Sequence, residues 1–339
     1  MGGAYRAAFQ TALPDGTVRC GLCPHHCTLR EGQRGTCRVR LVEGGELVST
    51  VYGRLAALHL DPIEKKPLFH FLPGSSTLSL ATVGCNLRCT FCQNHELSQT
   101  GAVDPRQPVV EPSEVVRLAL EQGARSIAVT YSEPTIFYEY ARAVSDEAVA
   151  AGLSMVAVTN GYLERAPLEA WLPTLHAANV DVKFPDDARY RRHTGGTLGP
   201  VLATLRTLWQ AGRWVEATTL VIPGLNDAPD DLKRVADLLV AVSPDLPWHV
   251  SRFHPDFCLT DRPPTPATTL RQALEIGRAA GLRYVYPGNL FGHDGETTRC
   301  PSCGRSVIGR SGYQVTGLDL DGGRCRGCGT TIAGVFDGA

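Results

Sequence analysis

Cys85, Cys89 and Cys92 stand in a Cys-x3-Cys-x2-Cys run, Gly84-Cys-Asn-Leu-Arg-Cys-Thr-Phe-Cys-Gln-Asn94, directly after an apolar stretch at residues 78–83. Three thiolates this close can hold three irons of a cubane iron–sulfur cluster and leave its fourth iron without a protein ligand. An open metal position is what separates a catalytic site from a structural one. A structural zinc site would need a fourth ligand, and His95 is the nearest candidate. Two more cysteine groups flank this triplet. Cys20, Cys23, Cys27 and Cys37 can close a tetrahedral site unaided, which suits structural zinc. An auxiliary iron–sulfur cluster or reactive thiols are the alternatives, and His25 or His26 could replace one thiolate. Cys300-Pro-Ser-Cys303-Gly and Cys325-Arg-Gly-Cys328-Gly form the four-cysteine pattern of a zinc ribbon, with an auxiliary cluster as competitor. Cys258 stands apart and reads as a buried apolar residue.

The elements that must carry these groups are legible in the hydrophobic pattern. Apolar runs at 78–83, 126–131, 153–159, 180–184, 214–222 and 248–253 fit buried parallel strands, and a seventh at 282–286 closes or extends the set. Helical segments are expected at 112–122, 135–150, 198–211, 230–242 and 268–280, several ending at Gly as C-caps prefer. Repeated strand–helix units imply an α/β fold with a parallel sheet, open or curled into a partial barrel. Active sites in such folds lie at the C-terminal ends of the strands.

The residues at those ends form a series. Glu133, in Tyr131-Ser-Glu-Pro134, places a carboxylate where an ammonium group could meet it. Thr159 and Asn160 precede Gly161 and suit a ribose or a bound ion, while Asp181 and Lys183 share one strand face. An acid and a base projecting together from a buried strand need each other or a ligand. Gly224 allows close backbone approach to a flat ring, and His254 offers an imidazole at the same rim. Tyr131, Asn94, Arg252 and Asn289 are candidates to face a substrate.

Composition bounds the rest. The 339 residues are 43% hydrophobic and 20% charged with a net charge of -1, an ordinary globular profile that excludes disorder and collagen. Near-neutral charge makes nucleic acid an unlikely main partner. No apolar run reaches the roughly 18 residues of a membrane span, and the first ten residues lack a signal pattern. A cytoplasmic location is expected, where cysteines serve as ligands rather than disulfides. Three parts are expected: a Cys-rich module at 1–75, a core domain at 76–290 and a zinc-ribbon-like module at 291–339.

From Gly84 to about Asp256 the order Cys-x3-Cys-x2-Cys, Glu-Pro, Thr-Asn-Gly, Asp-x-Lys, Ile-Pro-Gly and Phe-His resembles the radical S-adenosylmethionine (SAM) enzymes that activate glycyl-radical enzymes. Pyruvate formate-lyase activating enzyme is the best known of these. The resemblance implies a partial parallel (β/α)6 barrel, a [4Fe-4S] cluster on Cys85, Cys89 and Cys92, and SAM contacts from Glu133, Asp181, Lys183 and His254. It also implies an oxidoreductase-type enzyme that draws on a reducing electron donor. Activases usually show Gly-Gly-Glu-Pro and Asp-Thr-Asn-Gly, whereas Tyr131, Ser132 and Val158 stand here, so the Asp of the activase monovalent-cation site is missing. With both terminal cysteine modules, nearly the whole chain resembles the radical SAM member of the AmmeMemoRadiSam system, which implies Memo-like and AMMECR-like partner proteins. The expected activity is reductive cleavage of SAM and hydrogen abstraction from an unknown small-molecule or protein substrate. The alternatives are installation of a glycyl radical on a partner protein, or a non-catalytic, metal-stapled binding protein.

Overall fold

The computed structural model describes residues 5–104, 106–290 and 294–336. At its centre eight strands lie side by side in chain order: β1 (Ala57–Pro62), β2 (Ser76–Ala81), β3 (Ser126–Val129), β4 (Ser154–Thr159), β5 (Ala177–Asp181), β6 (Trp214–Val221), β7 (Trp248–Arg252) and β8 (Val285–Gly288). From β2 to β8 every neighbouring pair is parallel, and β1 runs antiparallel to β2. The six expected strands are all present, the seventh extends the set, and β1 is an addition. Among the described residues no pairing joins β8 to β1, so the barrel is open. Residues on or just after β3 through β8 nevertheless line one cavity, which only a curled sheet allows.

Helices α1 (Pro112–Glu121), α2 (Tyr138–Ala150), α3 (Arg165–Trp171), α4 (Asp187–Thr194), α5 (Leu198–Gln210), α6 (Pro229–Val240) and α7 (Ala267–Ala280) cover the sheet's outer face. Their apolar stripes follow the helical period: α6 buries Leu232, Val235, Ala236 and Leu239, and α7 buries Leu270, Ala273, Leu274 and Gly277. Gly277 is needed there because a Cβ would lie 2.9 Å from the Trp248 ring of β7. α4 ends at a left-handed Gly195. The expected helix at 135–150 opens instead with a 3-10 turn, Pro134–Phe137, which carries Glu133 as its N-cap. The short helices α3 and α4 have too few apolar positions for a periodic signal, and were not foreseen.

Neither outer module stands alone. Two three-stranded antiparallel sheets form the N-terminal module, and its buried Val18, Leu22, Val39 and Leu47 join the same apolar core as the barrel. Since β1 pairs with β2 across the expected boundary at 75/76, the core sheet begins before that boundary; alternation around His59 and Asp61 hid the strand. The C-terminal module is a hairpin, Ser306–Ser311 with Gln314–Leu318, backed by short strands. Arg310, fully buried, donates from Nη1 to Thr298 Oγ1 (2.9 Å), from Nη2 to the Phe69 carbonyl, and lies over the Phe69 ring. Residues 291–293 and 337–339, at the ends of the expected module, lie outside the described residues.

Candidate active site

The three central cysteines sit on the loop after β2, pinned from both sides. Arg88 N and Thr90 N donate to the carbonyls of Thr194 (2.7 Å) and His193 (2.9 Å) at the end of α4. Gly84 has a φ of +100°, and a Cβ there would meet the Cys37 carbonyl at 3.0 Å and Val39 Cγ1 at 2.7 Å. The N-terminal module is therefore packed directly against the loop's first turn. Donors converge on the sulfurs: Leu87 N and Asn160 Nδ2 lie 3.3 and 3.6 Å from Cys85 Sγ, and Ser98 Oγ lies 3.0 Å from Cys92 Sγ. Burial pushes the Cys89 thiol up to about 12 and Cys85 well above its ordinary value. Such thiols become thiolates only when a metal takes the proton's place.

Cys85, Cys89 and Cys92 line one cavity of about 550 Å³ with Glu133, Thr159, Asn160, Asp181 and Lys183. That volume is in the range of small-ligand sites. Glu133, 1% exposed, accepts from Asn160 N (2.8 Å), Thr135 N (3.0 Å), Thr135 Oγ1 (2.7 Å) and Thr159 Oγ1 (2.7 Å). Burial raises its pKa, and those hydrogen bonds oppose the rise. Thr159 and Asn160 thus hold Glu133 in place; Asn160 also donates to Asn86 Oδ1 at 2.8 Å. Asp181 and Lys183 form a 2.8 Å ion pair, and against burial, which lowers it, Asp181 together with Cys89 and Tyr190 raises the Lys183 pKa.

Three expected site residues are placed elsewhere. His254 does not line the cavity: its side chain is 58% exposed and its Nδ1 lies 3.0 Å from Gln93 Nε2. The loop after β7 turns outward at His254, so an imidazole one residue past Phe253 points to solvent. Gly224 is approached not from the cavity but by Arg262, whose Nη1 donates to the Pro223 carbonyl at 2.7 Å. Arg252 spends its Nε on the Thr265 carbonyl, whereas Tyr131, Asn94 and Asn289 do line the cavity. Cys258 is exposed, not buried. His95 stacks on Phe257 and faces Asp256, away from the cysteine triplet.

The far side of the cavity holds residues that strand-end reasoning missed. Lys66 lies over the Tyr131 ring at 4.4 Å and bonds Asp61 at 2.7 Å; Lys65 and the Tyr131 hydroxyl reach the same carboxylate. Burial brings Lys66 down to about 8 despite Asp61. His249 on β7 bonds Glu216 at 2.6 Å, and Glu216 also accepts from Phe69 N, His70 N and Trp214 Nε1. Glu296, Gly312 and Tyr313 of the C-terminal module complete the wall. A usable signal existed: the chain's lysines are Lys65, Lys66, Lys183 and Lys233, and all but Lys233 line this cavity.

Only one cysteine group among the described residues has single-ion geometry. Cys300, Cys303, Cys325 and Cys328 bring their sulfurs within 4.8 Å of one another, with Cys300–Cys328 at 3.6 Å and Cys303–Cys325 at 3.7 Å. A tetrahedral ion with bonds of about 2.3 Å sets its sulfurs about 3.8 Å apart. The central triplet forms no such group, as expected for thiolates that ligate separate irons of a cluster.

Residues 79–239 match the sequence model of the Radical SAM superfamily. An uncharacterized protein of Methanocaldococcus jannaschii is 43% identical over 329 residues, covering 96% of this chain and 98% of that protein. The benzylsuccinate synthase activating enzyme of Thauera aromatica is 28% identical over 37% of this chain and 40% of its own length, so the chain spans under half of that relative. A radical SAM methyltransferase structure from Sphaerobacter thermophilus shares the fold, with a TM-score of 0.50, 18% identity, and coverage of 64% of this chain and 67% of that one.

Proposed function

The chain belongs to the radical SAM superfamily and is an enzyme, and from that premise we propose that it cleaves SAM reductively to start hydrogen abstraction from a small substrate. The observation that carries this reading is the convergence of Cys85, Cys89, Cys92, Glu133, Asp181 and Lys183 on one cavity. Cys85, Cys89 and Cys92 would hold a [4Fe-4S] cluster, and their wide spacing and hydrogen-bonded sulfurs fit it. When bound, the cluster and SAM supply a 5'-deoxyadenosyl radical. Glu133 is oriented to receive the methionyl ammonium, its position fixed by Thr159 and Asn160. The Asp181–Lys183 pair presents one acceptor and one donor to the polar groups of SAM. Apolar walls from Phe91 and Leu220 keep water from the reacting centre.

Gly312 and Tyr313 of the C-terminal hairpin line the cavity, and a cavity walled by both the barrel and this module favours a small molecule over a protein backbone glycine. The near-tetrahedral spacing of Cys300, Cys303, Cys325 and Cys328 supports zinc as the ion at that site. Memo-like and AMMECR-like partners, proposed on the family resemblance, would supply or take up the substrate. A cytoplasmic location and a reducing one-electron donor suit twelve cysteines that are all free. The test is anaerobic reconstitution, iron and sulfide analysis, and 5'-deoxyadenosine release after dithionite. Release by the wild type that disappears in Cys89→Ser supports the reading; no release with a full cluster overturns it.

A further inference from the structure

The N-terminal cysteines invite comparison with the C-terminal four, since both sets could in principle close on one ion. They differ in geometry. No three of the sulfurs of Cys20, Cys23, Cys27 and Cys37 come within 4.8 Å of one another, whereas the C-terminal four all do. Yet all four line one small cavity of about 20 Å³, walled by Leu22, Leu29 and Ile136. That is room for a body at least the size of a water molecule. A tetrahedral ion about 2.3 Å from each sulfur leaves no such space. The arrangement matches a cubane, which holds its thiolates on separate irons around a core of iron and sulfide.

A second observation points the same way. Arg40 lines this cavity and is 1% exposed, and its Nη1 lies 3.6 Å from Cys20 Sγ. Its Nη2 is paired with Glu139, but its buried Nε has no acceptor. A cubane's sulfides would offer an acceptor to that unmet donor. Thr36 N, 3.4 Å from Cys27 Sγ, adds a further donor of the kind that stabilises sulfur carrying negative charge.

We propose that Cys20, Cys23, Cys27 and Cys37 hold a second cubane iron–sulfur cluster, placed to pass an electron to the central cysteine loop. The route is short. The Cys37 carbonyl lies 3.0 Å from where a Cβ on Gly84, the residue before Cys85, would sit, and His25 Nε2 bonds the carbonyl of Asn86, the residue after it, at 2.7 Å. The step is a one-electron exchange: the N-terminal cluster is oxidised by one unit as the central one is reduced by one, and no atom moves. A low-potential one-electron carrier restores the N-terminal cluster. The electron-transfer half rests on the function proposed above; the cluster itself does not.

The experiment uses the full chain, reconstituted without oxygen with iron and sulfide, in three forms: wild type, Cys85→Ala/Cys89→Ala/Cys92→Ala, and Cys23→Ser/Cys27→Ser. The wild type is expected to hold about eight irons and each variant about four, with a [4Fe-4S] signal by electron paramagnetic resonance in both reduced variants. Zinc with no iron in the central triple variant overturns the proposal, as does an iron content in the Cys23→Ser/Cys27→Ser variant equal to wild type. The triple variant leaves the N-terminal module untouched, so it decides the matter even where the other variant misfolds. Loss of iron only in the Cys23→Ser/Cys27→Ser variant would instead sink the central-cluster reading and leave this one standing. For the electron route, reduced flavodoxin serves as the carrier. Reduction of the central cluster is expected to slow at least tenfold in the Cys23→Ser/Cys27→Ser variant while its reduction by dithionite is unchanged. An unchanged rate with flavodoxin overturns the relay.

Discussion

Glu133 shows how one residue can be legible in type and opaque in context. Its place after a strand and before Pro134 marked it as a site carboxylate, but nothing in the sequence showed that Thr135, Thr159 and Asn160 would all donate to it. Those donors keep the buried side chain in one rotamer, against a desolvation that raises its pKa. Glu133→Gln keeps the volume and removes the charge, so the hydrogen bond to an ammonium loses its charge assistance, worth about 1.5–3 kcal/mol. SAM affinity is expected to fall about tenfold or more, by isothermal titration of the cluster-loaded protein; an unchanged Kd would make Glu133 a cap and nothing else. Asp61 offers a pH test. Against burial, which raises it, hydrogen bonds from Lys65, Lys66 and Tyr131 hold its pKa below the ordinary 3.8. A depressed carboxylate stabilises the fold above its unfolded pKa, and that stability is lost as pH falls through the folded value. Asp61→Asn is expected to cost about 3 kcal/mol near pH 7, by urea denaturation, because Lys66 is left buried without its partner. The gap between variant and wild type should narrow as pH drops below about 4. Lys65 and Lys66 follow Asp61 by only four and five residues, but its burial and its bond from Tyr131 depend on β1 pairing with β2 and β2 with β3, which no local pattern announces.

At the scale of elements, the parallel strands were readable because burial on both faces writes a continuous apolar run, and the strand ends then pointed to the cavity. The residues at those ends line the cavity where the chain stops at the sheet edge, as at Glu133 and Asp181, and do not where the loop continues outward, as at His254 and Gly224, since periodicity says where a strand ends but not where the next residues turn. The loop after β2 depends on one such turn. Gly84 holds a left-handed φ, and a side chain there would run into Cys37 and Val39 of the N-terminal module. Gly84→Ala is expected to destabilise the protein by about 1–3 kcal/mol, through strain and overpacking together. Since the displaced backbone carries Cys85, iron retention should fall more than the melting temperature does. Circular dichroism melts beside iron analysis check this; an intact iron content with a lowered melt would confine the effect to packing.

At the scale of the whole molecule, the active cavity is assembled from three parts of the chain, and the C-terminal module supplies its outer wall. The module reaches the barrel through Arg310, which lies 3.7 Å from the fully buried Glu64, and through Glu296, Gly312 and Tyr313 at the cavity. Its own fold rests on few apolar residues, among them Val307, Ile308, Leu320 and Ile332. A metal held by Cys300, Cys303, Cys325 and Cys328 would therefore carry much of its stability, about 10 kcal/mol or more where such a site is structural. Cys303 and Cys328 are exposed, so their replacement breaks the site without opening a cavity in the core. Cys303→Ser/Cys328→Ser is expected to lose one metal ion per chain and to become sensitive to limited proteolysis between residues 294 and 336. The central cysteines lie on the loop after β2, held by the end of α4 and the N-terminal module rather than by the C-terminal cysteines, so iron bound there should persist. The cavity, lacking its outer wall, should then admit water and release SAM faster, read as a raised dissociation rate by stopped-flow. Unchanged SAM release together with a proteolysed C-terminal module would mean that the barrel alone encloses its cofactor, and that the hairpin faces a partner rather than the reaction.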